Sequence, residues 1–96
     1  HLVESAVGAR LLARASEEGL GVYWWREGTK EVDFVVSKGF DSLSAIEVKS
    51  GKEKGRSGMA DFLSAHPSAK RIVVGGAASG ACGVEEFLKD EVELFY

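Results

Sequence analysis

Apolar residues recur every three to four positions near the start of the chain. Val3, Val7 and Leu11 form one row of this pattern, and Gly19 follows soon after it. Such spacing is typical of an amphipathic helix that buries one face, and glycine is common just beyond a helix end. The pattern therefore predicts a helix over residues 2–18.

Three apolar and aromatic runs follow this helix. They read GVYWWREG at 21–28, KEVDFVVSKG at 30–39 and LSAIEVKS at 43–50. Valine, isoleucine and aromatic residues favour strands. A short connection that contains glycine and aspartate joins the second run to the third, and it predicts an antiparallel hairpin.

The second half of the chain predicts two short helices and two more strands. Residues 57–66 form a helical pattern that ends at Pro67, and RIVVGG at 71–76 is typical of a strand covered on both faces. Because a helix separates this strand from LSAIEVKS, we expect the two strands to be parallel. A helix at 84–90 and a closing strand at 92–96 complete the order α-β-β-β-α-β-α-β. This order predicts an α/β fold with a mixed sheet flanked by helices.

Length and composition indicate one globular domain over residues 1–96. Apolar residues make up 45% of the chain, which suffices for a packed core. Cys82 is the single cysteine, so we expect a small buried apolar residue and no internal disulfide. The sequence has no secretory signal and no apolar run of membrane-spanning length, so we expect a cytoplasmic protein without a membrane partner. The chain starts at His1 without Met, so we expect it to be one domain of a longer protein.

The net charge of −3 disfavours one class of function, a non-specific coat on nucleic acid. Such a coat needs clustered Lys and Arg residues to neutralise the phosphates. An enzyme that acts on nucleic acid is not excluded, because bound metal ions can supply local positive charge.

An acidic residue interrupts the apolar pattern of the second predicted strand. Successive side chains of a strand point to opposite faces. Asp33 and Val35 are therefore expected on one face, while Val32, Phe34 and Val36 are expected on the other.

The third predicted strand carries an acid and a base on one face, Glu47 and Lys49. If the hairpin turns at Phe40, positions whose numbers sum to eighty pair, and Asp33 lies opposite Glu47. Because two carboxylates so close repel each other, we expect a Mg²⁺ or Mn²⁺ ion between them. The Lys49 ammonium would then face the attacking water or the transition-state charge. An exposed sheet face with an ordinary surface salt bridge is the open alternative.

Glu4 lies on the apolar side of the first predicted helix. It shares one row with Val7, Gly8, Leu11 and Leu12. Two interpretations stay open at this point: a residue of the site, or an end-of-helix residue that reaches solvent and interacts with the helix dipole.

These residues resemble the motif of a known nuclease superfamily. Thirteen residues separate Asp33 from the triplet Glu47-Val48-Lys49, and the two lie on consecutive predicted strands after a helix that bears Glu4. This arrangement resembles the PD-(D/E)XK superfamily, whose restriction-endonuclease-like core includes the archaeal Holliday junction resolvases. More narrowly, LVESAVGARLL, VYWWREGTKEVDFVV and AIEVKSGK resemble an uncharacterised nuclease-like domain that follows AAA+ ATPase modules in archaeal and bacterial proteins.

The resemblance implies a metal-dependent hydrolysis of DNA phosphodiesters. It implies Asp33 and Glu47 as metal ligands, the backbone C=O of Val48 as a further ligand, and Lys49 as the catalytic lysine. Glu4 would be an auxiliary ligand or acid. The implied cofactor is Mg²⁺ or Mn²⁺.

The resemblance also implies partners. These are DNA, branched or with ends, an AAA+ ATPase module of the same chain, and a second copy in a homodimer. A catalytically inactive nuclease-fold module that binds DNA or a partner for an ATPase is the alternative function.

Two further features bear on DNA. A glycine-rich segment just beyond the candidate site carries three basic residues, Lys52, Lys54 and Arg56. Two interpretations are open: these side chains contact DNA phosphates, or they belong to a solvated loop. Trp24 and Trp25 are adjacent in a strand and should point to opposite faces, one into the core. The other would be covered by a helix or by the rest of the parent chain, or would stack on a base.

Overall fold

The computed structural model describes residues 2–49, 56–76 and 80–96. Within these ranges the chain forms three helices and five strands: α1 (Leu2–Glu18), β1 (Gly21–Glu27), β2 (Lys30–Lys38), β3 (Ser42–Val48), β4 (Arg56–Ser57), α2 (Met59–Ala65), β5 (Lys70–Val74) and α3 (Val84–Leu88). The predicted α/β class is confirmed, and so are the first seven predicted elements. The two-residue strand β4 was not predicted. No helix of these ranges has both the length and the apolar character needed to cross a membrane.

The sheet is mixed, with the strand order β1-β2-β3-β5. β1, β2 and β3 are antiparallel neighbours, and β5 runs parallel to β3 after the α2 crossover, as predicted. In the β2–β3 hairpin Phe34 pairs with Ile46, and Val36 pairs with Ser44. The predicted register, in which the paired numbers sum to eighty, is therefore confirmed over residues 34–38. The ladder ends at the pair Phe34–Ile46, so it does not include the predicted pair of Asp33 and Glu47.

Helices cover both faces of the sheet. The α1-side cluster of buried residues joins α1 and α3 to one face through Val7, Leu11, Val36, Ile46, Ile72, Val74, Phe87 and Leu94. The α2-side cluster joins α2 to the other face through Val32, Val35, Ala45, Met59, Phe62 and Ala69. Full burial of a side chain such as Leu11 or Phe87 contributes roughly 1.5–3 kcal/mol to the free energy of unfolding.

A β-bulge interrupts β2 next to the acidic residue. Tyr23 of β1 pairs with Val35, and Trp25 pairs with Val32. Between these two pairs the chain advances two positions along β1 but three positions along β2. The extra residue turns Val32 to the face of Val35, and both pack in the α2-side cluster. The expectation that Val32 shares a face with Phe34 is therefore wrong, because strict alternation fails at the bulge. The expectation that Asp33 shares the face of Val35 is wrong for the same reason, since Asp33 lies with Phe34 opposite Trp24.

The predicted closing strand at 92–96 is also wrong, since these residues form no strand. Leu94 is nevertheless buried in the α1-side cluster. The hydroxyl of Ser44 donates a hydrogen bond to the C=O of Leu94, and the Arg14 guanidinium donates one to the C=O of Val92 at 3.2 Å. Side chains thus satisfy carbonyls that a strand ladder would otherwise use.

Candidate active site

One edge of β2 has two neighbours in succession. β3 pairs with residues 34–38 of β2, whereas β4 pairs with residues 30–31. β1 occupies the opposite edge along both stretches, so β3 and β4 must share the same edge. Val32 and Asp33 lie between the two neighbours, at the position where the sheet splits.

The Asp33 carboxylate bridges this split to the end of β3. Its Oδ2 atom accepts a hydrogen bond from the backbone N–H of Val48 at 2.8 Å. Since that nitrogen is one peptide unit from the Cα of Glu47, standard backbone dimensions put the Asp33 oxygen within about 5 Å of this Cα atom. Asp33 therefore lies beside the Glu47–Val48 segment.

Glu47 and Lys49 form an acid–base pair at the end of β3. The Nζ atom of Lys49 is 3.9 Å from Oε2 of Glu47, and the two side chains are 34% and 13% exposed, respectively. A carboxylate that is mostly withdrawn from water needs a positive neighbour or hydrogen bonds. Lys49 supplies positive charge and still reaches solvent.

The carbonyl of Val48 points to the side of Asp33. The N–H of Lys49 donates to the C=O of Val74 on β5 at 2.8 Å, whereas the N–H of Val48 donates to Asp33 on the β2 side. Because the N–H and C=O of one strand residue point to the same side, the Val48 carbonyl is also directed toward β2.

Two carboxylates and a backbone carbonyl are oxygen donors of the kind that Mg²⁺ and Mn²⁺ prefer. Within the described ranges, no group of three or more His, Cys, Asp or Glu side chains is arranged to hold a metal ion. Mg²⁺ is usually held by one or two protein carboxylates and keeps several waters. The donors Asp33, Glu47 and Val48 therefore fit such an ion in type and number.

Glu4 lies near Asp33 on the α1 side. The two residues line a surface cavity of about 270 Å³ together with Trp24, Glu31, Val32 and Phe34. A neighbouring cavity of about 430 Å³ shares Glu4 and Phe34 and extends along α1 to Leu12, which is largely exposed rather than buried with its row. The structure thus groups Glu4 with Asp33 around a cavity and pairs Glu47 with Lys49.

Part of the predicted phosphate-binding segment lies outside the described residues. This holds for Lys52 and Lys54 and for the side chain of Arg56. The backbone of Arg56 opens β4 and pairs with Lys30 of β2.

A family model matches residues 1–83 and is described as a domain of unknown function, DUF4143. The chain belongs to this family. The matched range contains Glu4, Asp33, Glu47 and Lys49, whereas α3 and the buried Leu94 lie after it. The chain has no match among curated proteins and none among solved structures.

Two glycines of the DUF4143 domain, Gly75 and Gly76, pack against Lys49. Neither was predicted to belong to the site. A Cβ atom on Gly75 would lie 2.6 Å from the Lys49 carbonyl oxygen, and one on Gly76 would lie 3.1 Å from the Lys49 Cβ. Both glycines have positive φ angles, 85° and 76°. The signal in the sequence was a glycine pair directly after a buried strand that neighbours the Glu47 strand.

The two tryptophans of the DUF4143 domain point to opposite faces, as predicted. Trp25 packs edge-to-face on Phe62, with ring centroids 5.9 Å apart. Trp24 is 77% exposed and lines the 270 Å³ cavity beside Asp33. The sequence did not indicate which of the two would be exposed.

Cys82 is half-buried against the α1-side cluster. Burial raises the pKa of its thiol above the ordinary value, and the negative charge of Glu86 raises it further. The thiol is therefore protonated at neutral pH, which is unfavourable for a nucleophile.

Proposed function

We propose that this chain is a metal-dependent nuclease domain that hydrolyses DNA phosphodiesters at the end of β3. The observation that carries the proposal is the hydrogen bond from the Val48 N–H to the Asp33 carboxylate. It joins the acid of β2 to the segment that contains Glu47 and Lys49. Mg²⁺ or Mn²⁺, when bound, would supply positive charge for the phosphate and lower the pKa of a water molecule.

The residues of the chain have separate tasks in this proposal. Asp33 and Glu47 would hold the cation, and the Val48 N–H fixes one oxygen of Asp33 beside the end of β3. Lys49 is close enough to Glu47 for pairing and exposed enough to meet a phosphate. Its ammonium would orient the attacking water or stabilise the charge that develops on the phosphate. Glu4, which lines the cavity that Asp33 also borders, would be an auxiliary acid.

Electrostatics supports a requirement for the cation in binding as well as in cleavage. The chain carries a net charge of −3, and the site contains at least two carboxylates. Without a divalent ion these groups repel a DNA phosphate. We therefore expect the affinity for DNA to rise when Mg²⁺ is added. The AAA+ ATPase module and the homodimer that the resemblance implies stay predictions.

The decisive experiment compares four proteins: the unchanged protein, Glu47→Gln, Lys49→Ala and Lys38→Ala. For each one, the nicking of supercoiled plasmid and the cleavage of branched DNA are measured in Mg²⁺ or Mn²⁺. Lys38 is an exposed lysine at the far end of β2, so its substitution removes the same charge away from the site. We expect Glu47→Gln and Lys49→Ala to lower the cleavage rate by about 100-fold or more, the usual effect of removing a catalytic group. Lys38→Ala should cleave as the unchanged protein does.

Cleavage that persists in EDTA, or equal rates for Lys49→Ala and Lys38→Ala, would contradict the proposed site. Isothermal calorimetry with Mn²⁺ separates the alternatives further. Heat of binding that disappears in Glu47→Gln supports a metal centre. No cleavage, together with DNA binding that survives Lys49→Ala, would favour the non-catalytic module instead.

A further inference from the structure

Trp24 exposes its indole ring beside the candidate active site. It is 77% exposed, although a tryptophan in a small domain is normally buried over most of its surface. Its neighbours in β1, Tyr23 and Trp25, pair with residues of the α2-side cluster, so alternation puts Trp24 on the α1 side. The ring therefore lies on the same side of the sheet as Glu4.

The bulge in β2 brings this ring to Asp33. The pairs Tyr23–Val35 and Trp25–Val32 enclose the bulge, so Trp24 faces two residues of β2. These are Asp33 and Phe34, and both line the cavity of about 270 Å³ that Trp24 borders. Sites for drug-sized ligands usually occupy about 300–1,000 Å³, so this cavity suits a smaller planar group such as one nucleobase.

The polar groups around the ring are hydrogen-bond acceptors. Glu31 lines the cavity, and the Arg26 guanidinium holds its Oε2 atom at 3.0 Å and 3.3 Å. Glu4 adds a second carboxylate to the lining. Carboxylates accept hydrogen bonds from the exocyclic amino groups of bases, as in the contact of Glu or Asp with cytosine N4. They repel phosphate, so a nucleotide would insert its base here and keep its phosphate away from them.

We propose that this cavity binds one unpaired DNA base that carries an amino group and stacks on Trp24. The proposal rests on the proposed function only for the consequence that the phosphate of this nucleotide lies at the Asp33 end of the site. A base in a duplex is stacked on both sides and cannot cover the indole. The preferred substrates are therefore single strands, flaps or splayed ends, with cytosine, adenine or guanine favoured over thymine.

The test measures binding without cleavage, in the Lys49→Ala background with Mg²⁺ present, because this variant keeps both proposed metal ligands. The probes are five-nucleotide oligodeoxycytidylate, oligothymidylate of the same length and a blunt duplex. We expect the cytidylate probe to quench tryptophan fluorescence, because stacking brings a base onto Trp24, whereas Trp25 is packed on Phe62. The same quenching should be absent in Trp24→Phe, which keeps an aromatic ring but lacks the indole.

Matched variants test the contribution of the ring to affinity. Stacking of one base on an aromatic side chain corresponds to about a 5-fold to 150-fold change in Kd. Trp24→Ala should therefore weaken cytidylate binding by this factor, and Trp24→Phe should restore most of it. Tyr23→Ala is the control, because it removes an exposed aromatic ring from the same strand but on the α2 side. The affinity of the Tyr23→Ala variant should equal that of the Lys49→Ala parent.

Failure of this proposal can be told apart from failure of the nuclease proposal. Quenching and loss of affinity in Trp24→Ala would support the base site even if the chain cleaves no DNA. Equal affinities of Trp24→Ala and its parent, or a duplex that binds as tightly as the single strand, would overturn the base site even if the chain is a nuclease. Equal affinity for thymidylate and cytidylate would overturn the recognition of the amino group.

Discussion

The substitution Gly75→Ala tests how closely the end of β5 must approach Lys49. Gly75 and Gly80 have nearly the same positive φ angle, 85° and 81°. Alanine at either position adopts a left-handed conformation, which costs about 1–2 kcal/mol. The two positions differ in space: a Cβ on Gly75 would lie 2.6 Å from the Lys49 carbonyl oxygen, whereas one on Gly80 has nothing within 4 Å.

The difference between the two variants reports on this contact, because the strain of a positive φ angle applies to both. A Cβ at 2.6 Å from backbone oxygen forces one of the two strands to move. Overpacking of this kind costs typically about 1–3 kcal/mol. The hydrogen bond from the Lys49 N–H to the C=O of Val74 opposes the movement. We therefore expect Gly75→Ala to lower the free energy of unfolding by about 1–3 kcal/mol more than Gly80→Ala.

Urea denaturation followed by circular dichroism measures this difference directly, with Gly80→Ala as the matched control. In a domain of this size about 1 kcal/mol corresponds to roughly 4–8 °C in Tm, so calorimetry should separate the two variants clearly. Equal unfolding free energies for Gly75→Ala and Gly80→Ala would show that the strands tolerate the extra methyl group. The close approach to Lys49 would then have no energetic importance.

Three other predictions address single contacts. Asp33→Asn keeps an acceptor for the Val48 N–H, so its unfolding free energy should stay within about 0.5 kcal/mol of the unchanged protein, whereas Asp33→Ala should lose about 1–3 kcal/mol. Calorimetry with Mn²⁺ should detect weaker metal binding in both variants. Full affinity for Mn²⁺ in Asp33→Asn would exclude this carboxylate as a ligand. Ser44→Ala leaves the buried C=O of Leu94 without its hydroxyl donor. Urea denaturation should therefore show that the free energy of unfolding falls by about 1–3 kcal/mol. An unchanged denaturation midpoint would argue against this contact. Because burial raises the pKa of Cys82, its thiolate forms at higher pH than that of a free thiol, so iodoacetamide should modify it more slowly than glutathione at pH 8. A pH profile that coincides with that of glutathione would refute the shift.

Periodic elements were the part of this fold that the sequence made predictable. Helix α1 repeats apolar residues at the helical period, and the β2–β3 register follows from a short turn at Phe40 and from the buried face of both strands. The parallel arrangement of β3 and β5 follows from the helix that connects them. Each of these elements depends on residues close in sequence or on a topological rule.

The features that could not be predicted depend on residues distant in sequence. The pattern Val32-Asp33-Phe34-Val35 fits an unbroken strand as well as a bulged one, and only pairing with β1 decides between them. The segment 92–96 has the composition of a strand but is held by side chains from α1 and β3. The grouping of Glu4 with Asp33, rather than with the Glu47 pair, likewise depends on how α1 packs on the sheet.

The bulge in β2 lets Val32 and Val35 share one face while the two residues between them, Asp33 and Phe34, both lie opposite Trp24. In an unbroken strand these neighbours would be tied to opposite faces, so the core would dictate where the acid points. Deletion of one of the two residues opposite Trp24 would remove the bulge and leave Val32 and Val35 on one face of a regular strand. A one-residue deletion at this point should therefore keep the core faces of both halves of β2, and the extra residue is needed only where Asp33 and Phe34 must both lie opposite Trp24.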